Sequence, residues 1–272
     1  MTVAIFVGKK ESAEQQRIVS MLDEFERGGC GIYYVNSREE IRPDTDMLLS
    51  IGGDGTFLSS AEIVGDSGLP VVGVNTGRLG FLSENRPEDV ANAILSKDYT
   101  VENRTLLQLC SSDEYTLPAE YHHALNEMTV HRGGPAMLEV EVSVDGIALP
   151  TYWADGLVIS TSSGSTAYSL SVGGPIVLPE SRVLIISPIS PHNLNVRPLV
   201  VPDTSDIRLK MESRDGEFVF SSDNRSMNMK TGTSLRINVA QFSLKRVRLN
   251  RSNFINALTQ KLFWGEDVRN IK

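Results

Sequence analysis

Cysteine is scarce in this 272-residue sequence, and positive charge is outnumbered by negative. Two cysteines, Cys30 and Cys110, cannot build a disulfide framework or a four-ligand zinc site. Lys and Arg number 26 against 34 Asp and Glu, a net charge of −8. A protein that coats duplex nucleic acid displaces counterions with net positive charge, so nucleic acid is not expected as a partner. Nowhere do about 18 apolar residues run together, so no membrane helix is expected. The longest greasy stretches, such as Val183-Leu184-Ile185-Ile186, are strand-sized. Met1-Thr2-Val3-Ala4-Ile5-Phe6-Val7 lacks the basic start and cleavage site of a secretory signal. There is no long repeat and no low-complexity tract. The four histidines, His122, His123, His131 and His192, are scattered and not expected to bind metal. What remains is 40% apolar residues and 22 glycines, enough for a real core in one large or two ordinary domains. A cytoplasmic protein without a membrane partner is expected.

The first hundred residues alternate apolar runs with helical patterns. Residues 3–7, 32–35, 47–51 and 70–74 read as strands. Ile18, Met21, Leu22 and Phe25 form one helical stripe that stops at Gly28-Gly29, and a short helix is expected from about Thr56. Continuous rather than alternating apolar strands imply burial on both faces, hence a parallel sheet between helices. After residue 100 the pattern changes. Leu138, Val140, Val142 and Val144 alternate with polar residues, and Asp145-Gly146 supplies a hairpin turn. Residues 207–211, 218–220, 235–239 and 242–249 are short runs between turn residues, so this half reads as an antiparallel β-sandwich. Phe254, Ile255, Leu258 and Leu262 have helical spacing after Ser252, a candidate N-cap, and this helix is expected back on the first domain. The expected boundaries are 1–98, 99–250 and 251–272.

Four stretches carry candidate chemistry. Gly52-Gly53-Asp54-Gly55-Thr56 lies at the carboxyl end of a strand, where open α/β sheets bind ligands. Its glycines allow close approach of an anion, and the next helix offers free N–H groups. It lacks the third glycine of a dinucleotide fingerprint and the Gly-Lys-Ser/Thr of a Walker loop. Asp54 inside the turn must act as a base, hold a cation, or simply cap the helix. Asn75-Thr76-Gly77-Arg78-Leu79-Gly80-Phe81 follows another strand; Arg78 can close over a nucleotide and Phe81 can stack on a base. Asn126-Glu127 offers donors and acceptors suited to a ribose diol. Eight of the fifteen residues 160–174 are Ser or Thr, enclosing Ala167-Tyr168 after an apolar strand, so a structured polar lining is expected.

Together with Asp155-Gly156, Gly164-Ser165-Thr166-Ala167-Tyr168-Ser169, Gly173-Gly174-Pro175-Ile176 and Arg197-Pro198-Leu199, these stretches resemble the NAD kinase family over residues 48–225. The Gly-Gly-Asp-Gly turn is shared with phosphofructokinases and diacylglycerol kinases; the Gly-Ser-Thr-Ala-Tyr-Ser motif with its Gly-Gly-Pro is the diagnostic part. The resemblance implies an α/β Rossmann-like, phosphofructokinase-like N-terminal domain, an all-β sandwich C-terminal domain and an active site between them. It implies transfer of the terminal phosphoryl of ATP, with Mg2+, to the 2′-hydroxyl of the adenosine ribose of NAD, giving NADP. Asp54 is then the proton acceptor and Gly55 lies against substrate. Phe81 contacts adenine, Asn126 and Glu127 bind ribose hydroxyls, and Asp155 reaches the nicotinamide side. Ser163, Thr166, Ala167, Tyr168, Ser169, Leu170 and Ser171 line the dinucleotide pocket, with Asp223 and Arg225 near the substrate. A homodimer or homotetramer is implied. Three positions depart from the family pattern. Asp223-Asn224-Arg225 replaces an Asp-Gly-Gln turn, Thr161-Ser162-Ser163-Gly164 lacks a usual proline, and Trp153 stands where many members have Arg. The rival readings are a lipid kinase sharing the acidic glycine turn and a non-catalytic NAD(P) sensor.

Overall fold

The computed structural model describes residues 1–77, 80–110, 117–250 and 253–265. The chain divides into two compact units, Met1–Asn103 with Leu244–Lys272, and Arg104–Ser243. In the first unit β1 (Thr2–Val7), β2 (Gly31–Tyr34), β3 (Met47–Ile51) and β4 (Val71–Val74) occupy the continuous apolar runs. They pair in parallel, with β2 and β3 flanking β1 and β4 beside β3. The connections carry α1 (Lys10–Ala13), α2 (Gln16–Arg27) and α3 (Asp54–Val64), and α4 (Pro87–Leu95) leads to β5 (Tyr99–Arg104). The α2 stripe Ile18, Met21, Leu22 and Phe25 is buried in one cluster with Val3, Leu49 and Val72. Each such side chain contributes about 1.5–3 kcal/mol through burial. Helix α3, expected from about Thr56, begins two residues earlier at Asp54, after Gly53.

The second unit is all β apart from short helical turns. Its strands up to the serine-rich segment are β6 (Leu107–Cys110), β7 (His123–Ala124), β8 (Glu127–Arg132), β9 (Leu138–Val144), β10 (Ile147–Ala148), β11 (Tyr152–Ala154) and β12 (Gly156–Thr161). After α5 (Tyr168–Ser171) come β13 (Val183–Ile189), β14 (Leu199–Pro202), β15 (Ile207–Glu212), β16 (Glu217–Ser222), β17 (Arg225–Lys230) and β18 (Ser234–Val239). One sheet runs β10-β9-β15-β18-β6-β7 with β11 on β9, the other β14-β13-β12-β8-β16-β17. Val140, Leu209 and Ile237 of the first and Val130, Ile159 and Phe220 of the second share one core, so the sheets form the expected sandwich. The β9–β10 turn has φ of 52° at Asp145 and 79° at Gly146, the left-handed pair a two-residue hairpin needs.

Residues 242–249 are a correction. They were expected in the antiparallel half, but β19 (Leu244–Leu249) lies between β4 and β5 in the first sheet, parallel to β4. Leu244, Arg246, Val247 and Leu249 are all buried, and a strand covered on both faces belongs in a sheet wrapped by helices. Helix α6 (Phe254–Leu262) follows within the same unit, capped by Asn253, whose side chain accepts the Asn256 N–H at 3.0 Å. Ser252, the expected cap, lies outside the described residues, as does Arg78. No helix among the described residues is long and apolar enough to cross a membrane.

Candidate active site

The Gly-Gly-Asp-Gly turn places Asp54 in the first turn of α3, but its side chain does not cap that helix. The carboxylate crosses to the loop after β4. Oδ2 accepts the Phe81 N–H at 2.8 Å, and Oδ1 accepts those of Leu82 at 3.0 Å and Ser83 at 2.8 Å. A carboxylate has about four acceptor positions, and among the described residues three are filled, leaving one on Oδ2. Gly80 passes so close that a Cβ there would overlap the Asp54 carboxylate. Cβ atoms on Gly8 and Gly52 would likewise collide with Thr56. Gly53, Gly55 and Gly77 differ: among the described residues a Cβ on any of them would meet nothing within 4 Å beyond its own chain neighbours or helix. Among the described residues their bare backbone meets no packing need, which leaves room for a close-approaching ligand.

The far side of the same loop faces two cations that the sequence reading did not single out. Arg246 of β19, with a side chain 4% exposed, bonds Glu84 at 2.5 Å and Glu102 at 3.4 Å. Its Nη2 also reaches the carbonyls of Phe81 and Leu82, at 3.4 Å each. Lys261 of α6 donates to the Gly80 carbonyl, and its ammonium lies 4.6 Å from the centre of the Phe81 ring. Three successive peptide groups thus give their N–H to Asp54 and their C=O to a cation. Residues 244–249 carry three cations, Lys245, Arg246 and Arg248, so the sequence did not single out Arg246; Lys261, on a helix surface, gave no signal either.

In the second unit the turn between β7 and β8 presents Asn126 and Glu127. Asp223, at φ 49°, sends its carboxylate into that turn and accepts the N–H groups of Leu125 at 2.8 Å, Asn126 at 2.9 Å and Glu127 at 3.2 Å. Arg225 donates to the His123 carbonyl at 2.9 Å. Both residues, expected near substrate, brace this turn. Asn126 is buried, against the bland picture of a solvated strand end. A Cβ on Gly164 would overlap its backbone.

The serine-rich segment is ordered as a short helical turn (Ser163–Thr166) followed by α5. Ser163 and Ser169 are buried, the Ser169 hydroxyl 3.4 Å from that of Ser187. Tyr168 and Ser171 are exposed, while Thr166, Ala167 and Leu170 are half-buried. Asp155 pairs with Arg132 at 2.8 Å. Trp153 is 40% exposed on β11, its backbone N–H bonded to Asn193. The His122 ring bonds the Leu117 carbonyl, and His123 packs edge-on to Phe242 at 4.9 Å.

The turn is also the electrostatic centre of this unit. Burial, then the nearby Asp223 charge, pushes Glu127 up to about 8, against the Tyr168 backbone N–H that lowers it. Its Oε2 is buried without a hydrogen-bond partner. Asp223 is itself raised by burial, opposed by the three amides and Arg225. Tyr168 is raised by burial and then by Asp155 and Glu127, so these acidic groups and the exposed ring form one cluster.

Comparison with known proteins fits this arrangement. Residues 6–97 match the ATP-NAD kinase N-terminal domain and residues 125–249 the ATP-NAD kinase C-terminal domain. The NAD kinase of Flavobacterium psychrophilum is 42% identical over 239 residues, covering 86% of this chain and 81% of that protein. That of Bacteroides fragilis is 45% identical over 230 residues, 83% and 79% of the two chains. Among solved structures, the yeast NADH kinase complexed with NADH aligns with a TM-score of 0.87 at 24% identity, covering all of this chain and 90% of that one. An NAD kinase from Archaeoglobus fulgidus in complex with ATP aligns at 0.80 and 24%, covering 97% and 99%. The two domain matches and the identity to whole-length relatives place the chain in the NAD kinase family.

Proposed function

We propose that this enzyme, a kinase acting on NAD with ATP, uses Asp54 to take the proton from the 2′-hydroxyl of the adenosine ribose. The observation that carries the reading is the seat of that carboxylate: three backbone N–H groups fix it and leave one acceptor position on Oδ2. The 2′-oxygen bonds the terminal phosphorus of ATP as the bond from that phosphorus to the bridging oxygen breaks. The proton passes to Asp54, and NADP and ADP result. Such a transition state is loose, so the protein chiefly positions groups and neutralises charge. A ribose hydroxyl is a poor nucleophile, and a fixed carboxylate beside its proton lowers that barrier.

Other roles follow from exposure and charge. The open faces of Gly53 and Gly55 and the first-turn N–H groups of α3 suit a phosphate. Phe81 offers a ring to adenine. Glu127, neutral below about pH 8, donates its carboxyl proton to a ribose oxygen while Asn126 contributes an amide. Thr166, Ala167, Tyr168, Leu170 and Ser171 border the dinucleotide, with Ser163 and Ser169 packed behind them. Asp155 sits on the nicotinamide side, held by Arg132. Asp223 and Arg225 act on the substrate through the turn they brace. Mg2+ accompanies ATP as part of the nucleotide substrate. Among the described residues no group of three or more His, Cys, Asp or Glu could hold a metal ion. Two free thiols favour a reducing, cytoplasmic setting. The homo-oligomer implied by the family would use the rim at β14, an edge strand that exposes Leu199 and Val200.

The test is direct. Purified protein with ATP, Mg2+ and NAD forms NADP, read through an NADP-specific dehydrogenase. Asp54→Asn abolishes turnover and leaves NAD affinity within a few-fold; turnover near that of the parent protein would remove the base assignment.

A further inference from the structure

Asp54 is held by peptide groups that are themselves held from behind. The C=O that shares a peptide with the Phe81 N–H belongs to Gly80 and accepts from the Lys261 ammonium. The next two carbonyls, Phe81 and Leu82, face Arg246, while their peptide partners, the N–H groups of Leu82 and Ser83, donate to Asp54. A cation on the carbonyl end of a peptide polarises it and strengthens the bond made by its N–H. Arg246 is fixed by its buried ion pairs with Glu84 and Glu102 and belongs to the core of the unit. Lys261 comes from α6, which also lays Phe254 against Phe81 at 6.0 Å between ring centres. It supports only the first peptide, the one whose N–H fixes Oδ2, the oxygen with the open acceptor position.

We propose that Lys261 is a positioning residue for the phosphoryl transfer, orienting the Oδ2 atom of Asp54 through the Gly80–Phe81 peptide. The proposal rests on Asp54 as proton acceptor. It explains why a lysine from the far end of the chain is more than half-buried against a glycine carbonyl. Burial lowers the affinity of Lys261 for its proton and Arg246 adds to that, whereas Glu84 and Asp54 oppose it. Arg86 and Asp89 line the same small cleft. The ammonium is therefore lost at lower pH than on an exposed lysine, and with it the support of Oδ2, so turnover falls on the alkaline side.

The experiment compares the full-length parent, Asp54→Asn, Lys261→Met and Lys261→Arg in the NADP-forming assay across pH, with thermal unfolding as the check on folding. Lys261→Met is expected to lower kcat about tenfold or more, with KM for NAD within about threefold, and to abolish the alkaline fall. Lys261→Arg, which keeps its charge, is expected to restore most of kcat and move that fall to higher pH. A folded Lys261→Met with the parent's kcat and pH profile, while Asp54→Asn is inactive, overturns the role of Lys261 alone. An active Asp54→Asn overturns the base on which it rests. Should Lys261→Met fail to fold, the profile of Lys261→Arg decides: an unmoved alkaline fall overturns the proposal.

Discussion

A single buried side chain can shape the pH behaviour of a unit, and Glu127 is expected to do so here. Its carboxyl is raised from 4.5 to about 8 by burial and by Asp223. A group whose folded pKa exceeds its unfolded one contributes stability that is full below the unfolded value and is lost as pH rises through the folded value. The ligand-free protein should therefore lose stability between roughly pH 4.5 and 8 on account of this residue. Glu127→Gln, which stays neutral, is expected to match the parent near pH 5. At pH 8.5 it should unfold at a higher temperature, by an amount corresponding to about 1–3 kcal/mol. Thermal unfolding scans at the two pH values check this; equal differences at both would refute it. Asp54 shows the other use of a carboxylate, where fixed amides rather than burial define what it does.

At the scale of an element, the loop 80–83 shows how backbone alone can fix a carboxylate. Its residue types carry little information, since the contacts with Asp54 are made by N–H groups that any non-proline residue has. Gly80 is the exception. Its φ is not left-handed, so alanine fits the backbone there, yet the added Cβ would overlap the Asp54 carboxylate. Gly80→Ala is expected to keep the fold and cut kcat by about 10–100-fold through displacement of that group. Steady-state kinetics beside a circular dichroism spectrum would show it, and an unchanged kcat would refute it. The turn at 125–127 follows the same principle. There the acid is Asp223, and its left-handed φ turns the carboxylate onto three amides.

For the molecule as a whole, the decisive feature is that the first unit is made from both ends of the chain. Residues 1–104 hold β1 to β5, but β19 occupies the place between β4 and β5. Without it β5 loses its neighbour in the sheet, and Glu84 and Glu102 lose the buried guanidinium of Arg246. Stranding buried carboxylates costs about 3–5 kcal/mol, comparable with the margin of a whole domain. A chain ending at Ser243 is therefore expected to leave its first unit unfolded although residues 1–103 are intact. Limited proteolysis would show cleavage throughout β1–β4 while the sandwich survives; protection of those strands would refute the expectation.

The sequence alone determined the period of the elements it named, and with it the parallel α/β half, the alternating sandwich half, the hairpin at Asp145-Gly146 and the motif residues of the family. These are local properties, written in runs, stripes and turn residues within a dozen positions of one another. It also marked Asp54 as an acid out of place in a phosphate-binding turn. Only the tertiary structure decided where β19 goes, because a short apolar strand reads alike in either sheet until its neighbours are known. Likewise, only the structure decided what Asp54 and Asp223 accept, and that Lys261 and Arg246 stand behind the loop at 80–83. Those contacts join residues 27 to more than 160 positions apart through backbone groups, and backbone groups are the part of a chain that side-chain spelling leaves blank.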